Sequence, residues 1–225
     1  MPAPSSPLPI VVLISGRGSN LQAIIDCTAS RALDVEIRAV VSNRPDAAGL
    51  ALARAAGIPV EIIDHSRYTS REEFERELRA CIDRYRPGLL VLAGFMRLLT
   101  PAFVDGFRGR ILNIHPSLLP QLPGLDTHRR AINSGLREHG ASVHFVTAEM
   151  DGGPVIVQAH VPVRSGDTAE RLAERVLREE HRLFPLAIQW FAEQRIYLDE
   201  RGQILFDGEP LLTPRDLARE NALTC

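Results

Sequence analysis

Short apolar segments alternate with amphipathic helical patterns through the first half of the chain, and this alternation constrains the fold most. Ile10–Ile14 is apolar at every position, which is typical of a strand buried on both faces. Similar patterns recur at residues 35–42, 60–63, 89–93 and 111–114. Strands separated by helices in this way form βαβ units. The sequence therefore predicts an α/β fold: a mainly parallel twisted sheet with helices on both faces, Rossmann-like in its N-terminal half.

The second half of the chain has a different pattern. Residues 141–147 and 155–163 predict two antiparallel strands joined by a turn at residues 151–154, and a long helix follows. After Trp190 the pattern becomes irregular, with short strands and turns around two glycines. Because no internal repeat or low-complexity linker is present, we expect one compact unit with two lobes.

Composition excludes several classes of protein. The net charge is −2, and the arginines are spread along all 225 residues, which argues against a nucleic-acid-binding protein. No apolar run approaches the ~18 residues of a membrane span, so we expect a soluble, cytoplasmic protein. The three cysteines, Cys27, Cys81 and Cys225, are far apart and form no C-x-x-C motif. They predict reduced thiols, without a disulfide or a metal site.

Residues 16–20 (Gly-Arg-Gly-Ser-Asn) follow the first strand and precede a helix. Glycines let backbone N–H groups turn towards a ligand, and a helix N-terminus carries partial positive charge, so the loop suits a phosphate. It is not a full dinucleotide fingerprint, because Leu21 replaces the third glycine, and it is not a P-loop. A plain tight turn stays open as the alternative.

Asn113 and His115 follow the fifth strand, two residues apart, and therefore point the same way on an extended chain. An amide donor beside an imidazole can stabilise an oxyanion and move a proton. Asp151 lies in a glycine-rich turn, where turn formation alone would explain it, but a carboxylate beside His115 would favour the imidazolium form. The other histidines show no metal-ligand spacing, and only His144 is kept as a candidate near the cleft.

Together these segments resemble the glycinamide ribonucleotide formyltransferase family. The matching pieces are residues 12–22, 92–97, 113–120, 142–146 and 151–154, within a span of about residues 10–190. The Asn-x-His-Pro-Ser-Leu-Leu-Pro run at residues 113–120 is shared with related formyl-folate enzymes. The glycine loop with Ser19 and Asn20 points to the phosphoribosyl substrate.

The resemblance implies that 10-formyltetrahydrofolate is the co-substrate and that the amine of 5-phosphoribosylglycinamide is the acceptor, with no metal. It places the phosphate on Gly18, Ser19 and Asn20, with Glu180 of the long helix contacting the same substrate. The folate-binding positions that it implies are Arg71, Met96, Arg97, Leu98, Leu99 and Asn113. From spacing alone, Glu180 and Arg71 would be solvated helix residues, and residues 96–99 would be core.

The implied mechanism is direct attack of the amine on the formyl carbon. Asn113 and protonated His115 would stabilise the oxyanion, and Asp151 would assist proton transfer through water. Asp126 is a departure, because the family commonly has histidine there. The role of that side chain is therefore open.

From the residues and the resemblance together, we expect one formyltransferase domain over residues 1–225. Its parts would be a disordered lead-in (1–9), a phosphate-binding lobe (10–110), a catalytic and folate lobe (111–190) and a C-terminal tail (191–225). The substrates would be small molecules, and the sequence does not indicate an oligomeric state.

Three alternatives remain. A formyltetrahydrofolate hydrolase shares the chemistry but usually carries an N-terminal regulatory domain, for which the first strand leaves no room. A transferase acting on initiator tRNA would need a C-terminal nucleic-acid-binding domain, and the acidic balance argues against it. A non-catalytic dinucleotide-binding module conflicts with the missing third glycine and with the set Asn113, His115 and Asp151.

Overall fold

A computed structural model describes residues 6–223 and Cys225 of the chain. Its centre is an eight-stranded sheet in the order β11-β7-β6-β5-β4-β1-β2-β3. The eight strands are β1 (Leu8–Ile14), β2 (Val35–Ser42), β3 (Val60–Ile62), β4 (Leu89–Leu92), β5 (Ile111–His115), β6 (Glu138–Phe145), β7 (Val155–Pro162) and β11 (Arg215–Asp216). A separate antiparallel sheet comprises β8 (Ile196–Leu198), β9 (Ile204–Phe206) and β10 (Glu209–Pro210).

Six α-helices and two single-turn 3-10 helices connect the strands in the described chain. The α-helices are α1 (Ser19–Ala29), α2 (Gly49–Ala55), α3 (Arg71–Tyr85), α4 (Pro101–Asp105), α5 (Thr127–Asn133) and α6 (Ala169–Ala192). None of them, in the part of the chain that the structure describes, has both the length and the apolar character needed to cross a bilayer.

The predicted fold class is confirmed. The strands from β3 to β5 pair in parallel, whereas β6 runs antiparallel to both β5 and β7. The central strands β1 and β4 are almost wholly buried, and apolar clusters lie on the two faces of the sheet. This arrangement follows from the unbroken apolar runs, because a strand covered on both faces has no solvated side for polar residues.

Two helix starts illustrate how local sequence sets the element boundaries. Ser70 caps α3 as predicted, since its hydroxyl accepts from Glu73 N at 3.1 Å. The short helix α4 was not predicted, although Thr100 caps it and Pro101 occupies its first position. Its capping threonine also bonds to the buried carboxylate of Glu75, which fixes α4 against α3.

Two predictions are wrong. Leu8 and Pro9 are not part of a disordered lead-in, because they pair with Val35 and Glu36 as the start of β1; the lead-in's residues 1–5 lie outside the described residues. Cys27 and Cys225 are joined by a disulfide rather than present as free thiols. The cysteine spacing gave no signal for this pair, because the two residues are 198 apart in the sequence. They meet only in the folded chain, where Leu217 and Leu223 of the C-terminal segment pack on the core. Cys81 is free and buried, as expected.

Candidate active site

A cleft of about 520 Å³ lies beside the carboxyl ends of β4 and β5. Its size is in the range of small-molecule sites. It is lined by Leu92, residues 94–99, 113–116 and 124–128, His144, and residues 146–151. The structure therefore brings Asn113, His115 and Asp151 into the same cleft as the predicted folate-binding segment 96–99.

His115 is buried at the end of β5, and each of its ring nitrogens faces an acceptor. Nε2 lies 3.0 Å from the carbonyl oxygen of Leu122, so this nitrogen carries a proton. Nδ1 lies 3.5 Å from Asp151 Oδ2, which is longer than a normal hydrogen bond. Asp151 is itself held in place, because the same oxygen accepts from Gly124 N at 2.8 Å. Nδ1 is thus the ring nitrogen that is free to form a hydrogen bond with a ligand.

Asn113 is oriented by His144, its partner in the register between β5 and β6. His144 Nδ1 lies 3.0 Å from the carbonyl oxygen of Phe145 and donates to it. Burial lowers the pKa of His144 to about 4, so the ring is neutral and its Nε2 accepts. Asn113 Nδ2 lies 3.0 Å from that nitrogen and is the donor. This contact fixes the amide with one hydrogen still available to a ligand.

Exposed apolar side chains surround the mouth of the cleft. Met96 is 68% exposed and Leu125 74%, and Leu98 and Met150 are about half exposed. Grouped apolar exposure of this kind marks a ligand-binding surface more often than an ordinary solvated one. Within the same segment, the Arg97 guanidinium lies 6.0 Å from the ring centre of Phe74 on α3.

Arg71, in contrast, does not line the cleft. It is the exposed first residue of α3, in the turn before Phe74. The predicted contact between Arg71 and folate would therefore require a ligand that extends out of the cleft to the start of α3.

The glycine loop and Glu180 form a second group outside the cleft. Gly18 precedes α1 at φ 79° and provides no side-chain cap, so the first N–H groups of α1 lack that partner. Within α1, Asn20 Nδ2 donates to Glu180 Oε2 at 2.7 Å, and both residues are buried. Asn20 Oδ1 is also buried and has no hydrogen-bond partner among the described residues. The loop adjoins the cleft, because Ser15 N donates to the carbonyl oxygen of Gly94.

Gly18 also packs directly on the start of α2. A Cβ built at Gly18 would lie 2.6 Å from the Cα atom of Gly49, well inside van der Waals contact. Gly49 N donates in turn to the carbonyl oxygen of Gly16 at 3.0 Å. The start of α2 therefore contacts the loop at both of its glycines, Gly16 and Gly18.

We expect Glu180→Gln to stabilise the protein at high pH only. Burial raises the pKa of the Glu180 carboxyl, and the hydrogen bond from Asn20 lowers it by less. Because the folded-state pKa exceeds the unfolded value, stability is greatest below the unfolded pKa and falls as pH rises through the folded one. Glutamine does not ionise and still accepts from Asn20. The variant should thus melt a few degrees higher than the wild type at about pH 8, where ~1 kcal/mol corresponds to about 2–4 °C.

Calorimetric melts of both proteins across the pH range test this prediction. The two melting temperatures should converge as the pH falls below the unfolded pKa of a glutamate, about 4.3. A gain that does not depend on pH, or a loss at high pH, would contradict it.

The sequence did not reveal the role of His128 in lining the cleft. His128 Nδ1 lies 3.1 Å from Nε2 of the buried His139, and burial lowers the pKa of both rings, that of His139 to about 4. No spacing motif joins the two residues, so only the fold reveals the pair. Asp126 also lines the cleft; it sits at φ 56° and pairs with Arg129 at 2.8 Å.

Comparison with known proteins defines the class. A sequence profile of the family described as formyl transferase matches residues 8–188, and the chain belongs to this family. The fold agrees with that membership.

The relatives are more specific. The chain is 55% identical over 202 residues to the phosphoribosylglycinamide formyltransferase of Escherichia coli (strain K12), covering 90% of this chain and 95% of the relative. It is 44% identical over 200 residues to the human trifunctional purine biosynthetic protein adenosine-3, covering 89% of this chain and 20% of that protein. The solved phosphoribosylglycinamide formyltransferase of Coxiella burnetii superposes with a TM-score of 0.89 at 50% identity, covering 94% and 99% of the two chains. The resemblance stated from the sequence is confirmed, and the chain is a formyltransferase of this kind.

Proposed function

We propose that the protein transfers the formyl group of 10-formyltetrahydrofolate to the amine of 5-phosphoribosylglycinamide in de novo purine synthesis. One observation carries the proposal. Asn113, His115 and Asp151 lie in one cleft, with the hydrogen-bond partners that an oxyanion and proton-transfer site needs. The names of the relatives support the same acceptor and the transfer of a formyl group. The division into two functional lobes and the cytoplasmic location stay predictions.

The donor would occupy the 520 Å³ cleft. The apolar rim of Met96, Leu98, Leu125 and Met150 suits the flat ring system of a folate, which loses water contact when it binds. Arg97 supplies a cation at the same wall for the carboxylates of the folate tail. We assign Leu99 and Asn113 to the same donor site, with Arg71 as an outer contact.

The acceptor's phosphate would lie at the start of α1. Gly18, Ser19 and Asn20 present backbone N–H groups at a helix N-terminus, where partial positive charge favours an anion. The buried Asn20–Glu180 pair would bind the rest of the ribonucleotide. The unpartnered Asn20 Oδ1 supports this assignment, since an orphaned buried acceptor is costly unless a ligand satisfies it.

Catalysis would then proceed by direct attack of the amine on the formyl carbon. The Asn113 amide hydrogen that His144 leaves available, together with the His115 imidazolium, would stabilise the oxyanion. Asp151 faces His115 Nδ1 and would stabilise the positive ring. Through a water, the same carboxylate would help to move a proton from the attacking amine to the leaving nitrogen.

The decisive experiment mixes purified protein with 10-formyltetrahydrofolate, with and without 5-phosphoribosylglycinamide, and follows release of the deformylated folate. We expect release that requires the ribonucleotide and yields its formylated product. Equal release without the ribonucleotide would instead indicate hydrolysis. Saturable binding without release would indicate a binding module.

A further inference from the structure

Ser15 is a buried polar residue at the end of β1, between the glycine loop and the cleft wall. Its hydroxyl donates to Asn43 Oδ1 at 2.6 Å and accepts from the backbone N–H of Met96 at 2.7 Å. Its own N–H donates to the carbonyl oxygen of Gly94 at 3.1 Å. One residue therefore bonds both ends of the stretch from Gly94 to Met96.

These contacts matter because residues 94–99 form an irregular wall of the cleft, without helix or strand of their own. In the part of the chain that the structure describes, this segment makes two hydrogen bonds, and both go to Ser15. A segment outside regular structure depends on such individual bonds for its conformation. Ser15 thus fixes the backbone at Met96, where residues 96–99 begin, while Phe95 and Leu99 pack on the apolar core.

The Asn43 side chain fixes the direction of the Ser15 O–H bond. Asn43 is 2% exposed, and its backbone carbonyl oxygen accepts from both the backbone N–H and the ring Nδ1 of His65, which holds the residue in place. Because Asn43 Oδ1 takes the hydroxyl hydrogen of Ser15, a lone pair of Ser15 Oγ is directed at Met96 N. The bond to Met96 is therefore prearranged before any ligand binds.

We propose that Ser15 is a positioning residue for the formyl donor: its hydroxyl fixes the Met96 backbone and so presents residues 96–99 to the folate. The inference rests on the proposed function, in which those residues form the donor site. Ser15 itself does not line the cleft. The glycine loop beside it has separate support from Gly49 and from the first turn of α1, where Gln22 N donates to the carbonyl oxygen of Gly18.

Ser15→Ala tests the proposal. The variant leaves Met96 N and Asn43 Oδ1 without their partner, and an unmade buried hydrogen bond costs enough for about a tenfold change in an equilibrium constant. We expect the KM for 10-formyltetrahydrofolate to rise about tenfold, while the KM for the ribonucleotide and kcat change less than about twofold. Amide hydrogen exchange of the peptide covering residues 94–99 should speed up in the same variant.

Ser42→Ala is the matched control. Ser42 is a fully buried serine at the end of neighbouring β2, but among the described residues its hydroxyl bonds only to the backbone of Arg44. This control should leave the donor KM and the exchange of residues 94–99 unchanged. An unaltered donor KM in Ser15→Ala, or a parallel change in both KM values and in kcat, would overturn the proposal.

Calorimetric titration with tetrahydrofolate separates this inference from the proposed function. If the wild type binds tetrahydrofolate but transfers no formyl group, the proposed function fails, and weaker binding by Ser15→Ala still supports the positioning role. If wild type and Ser15→Ala bind equally, the positioning role fails even though transfer is observed. A wild type that binds no tetrahydrofolate would overturn both.

Discussion

His115→Ala is expected to lower kcat by between about 10²-fold and 10⁴-fold, the range that a positioned acid–base group contributes. The reason is that, in the proposed mechanism, His115 holds positive charge next to the oxyanion, with Asp151 Oδ2 3.5 Å from its Nδ1. Because the ring is small compared with the apolar surface of the donor site, the KM for the folate should change by much less. Steady-state kinetics with both substrates varied measures this split.

The surface histidine His160 provides the matched control for that experiment. Its side chain is about 38% exposed and pairs with Glu138, and neither residue lines the cleft, so His160→Ala should retain full turnover. Both variants should keep the wild-type melting profile within a few degrees. A loss below about tenfold in a folded His115→Ala protein would remove His115 from the mechanism.

Reduction of the Cys27–Cys225 disulfide is expected to cost about 2–5 kcal/mol of unfolding free energy. The bond joins residues that are 198 apart in the sequence. A cross-link removes conformational entropy from the unfolded chain, and it removes more when the loop that it closes is longer. For a protein of this size the loss corresponds to a fall of about 5–15 °C in melting temperature. Calorimetric scans with and without a thiol reductant measure it.

Two cysteine variants make that experiment specific. Cys27→Ser should melt at the lower temperature under both conditions, since it cannot form the bond. Cys81→Ala should keep the difference between oxidised and reduced samples, because Cys81 is free. A wild type whose melting is the same with and without reductant would show that the disulfide contributes nothing to stability.

The sequence predicted the sheet well because its central strands carry their signal locally. Ile10–Ile14 and Leu89–Leu92 are short runs that are apolar at each position, which is typical of strands buried on both faces. Because these strands alternate with helices along the chain, a parallel arrangement was expected. The start of α3 was equally clear, since Ser70 and Glu73 lie in one turn. In contrast, α5 begins after Asp126 at φ 56° with no side-chain cap, which left nothing for a sequence pattern to detect.

Residue spacing alone indicated the site where its parts are close in the chain, and the resemblance to the family supplied the distant residues. Asn113 and His115 are two apart on one strand, and the spacing alone indicated a shared direction. The Asn20–Glu180 pair joins the first and last α-helices, and its burial depends on how α1 packs on α6. Ser15 gave no signal either, because a serine before a glycine loop is also ordinary turn chemistry. Long-range contacts of this kind are set by tertiary packing, which a local pattern does not encode.

The contact between Gly18 and Gly49 limits how this protein can change over evolutionary time. Each glycine occupies the space that a side chain on the other would need: a Cβ at Gly49 would lie 3.0 Å from the Cα atom of Gly18. A substitution at one position has no compensating substitution at the other, because both are already the smallest residue. Although they are distant in the chain, the two positions should therefore both remain glycine. A larger side chain at either one would require α2 to move away from the loop.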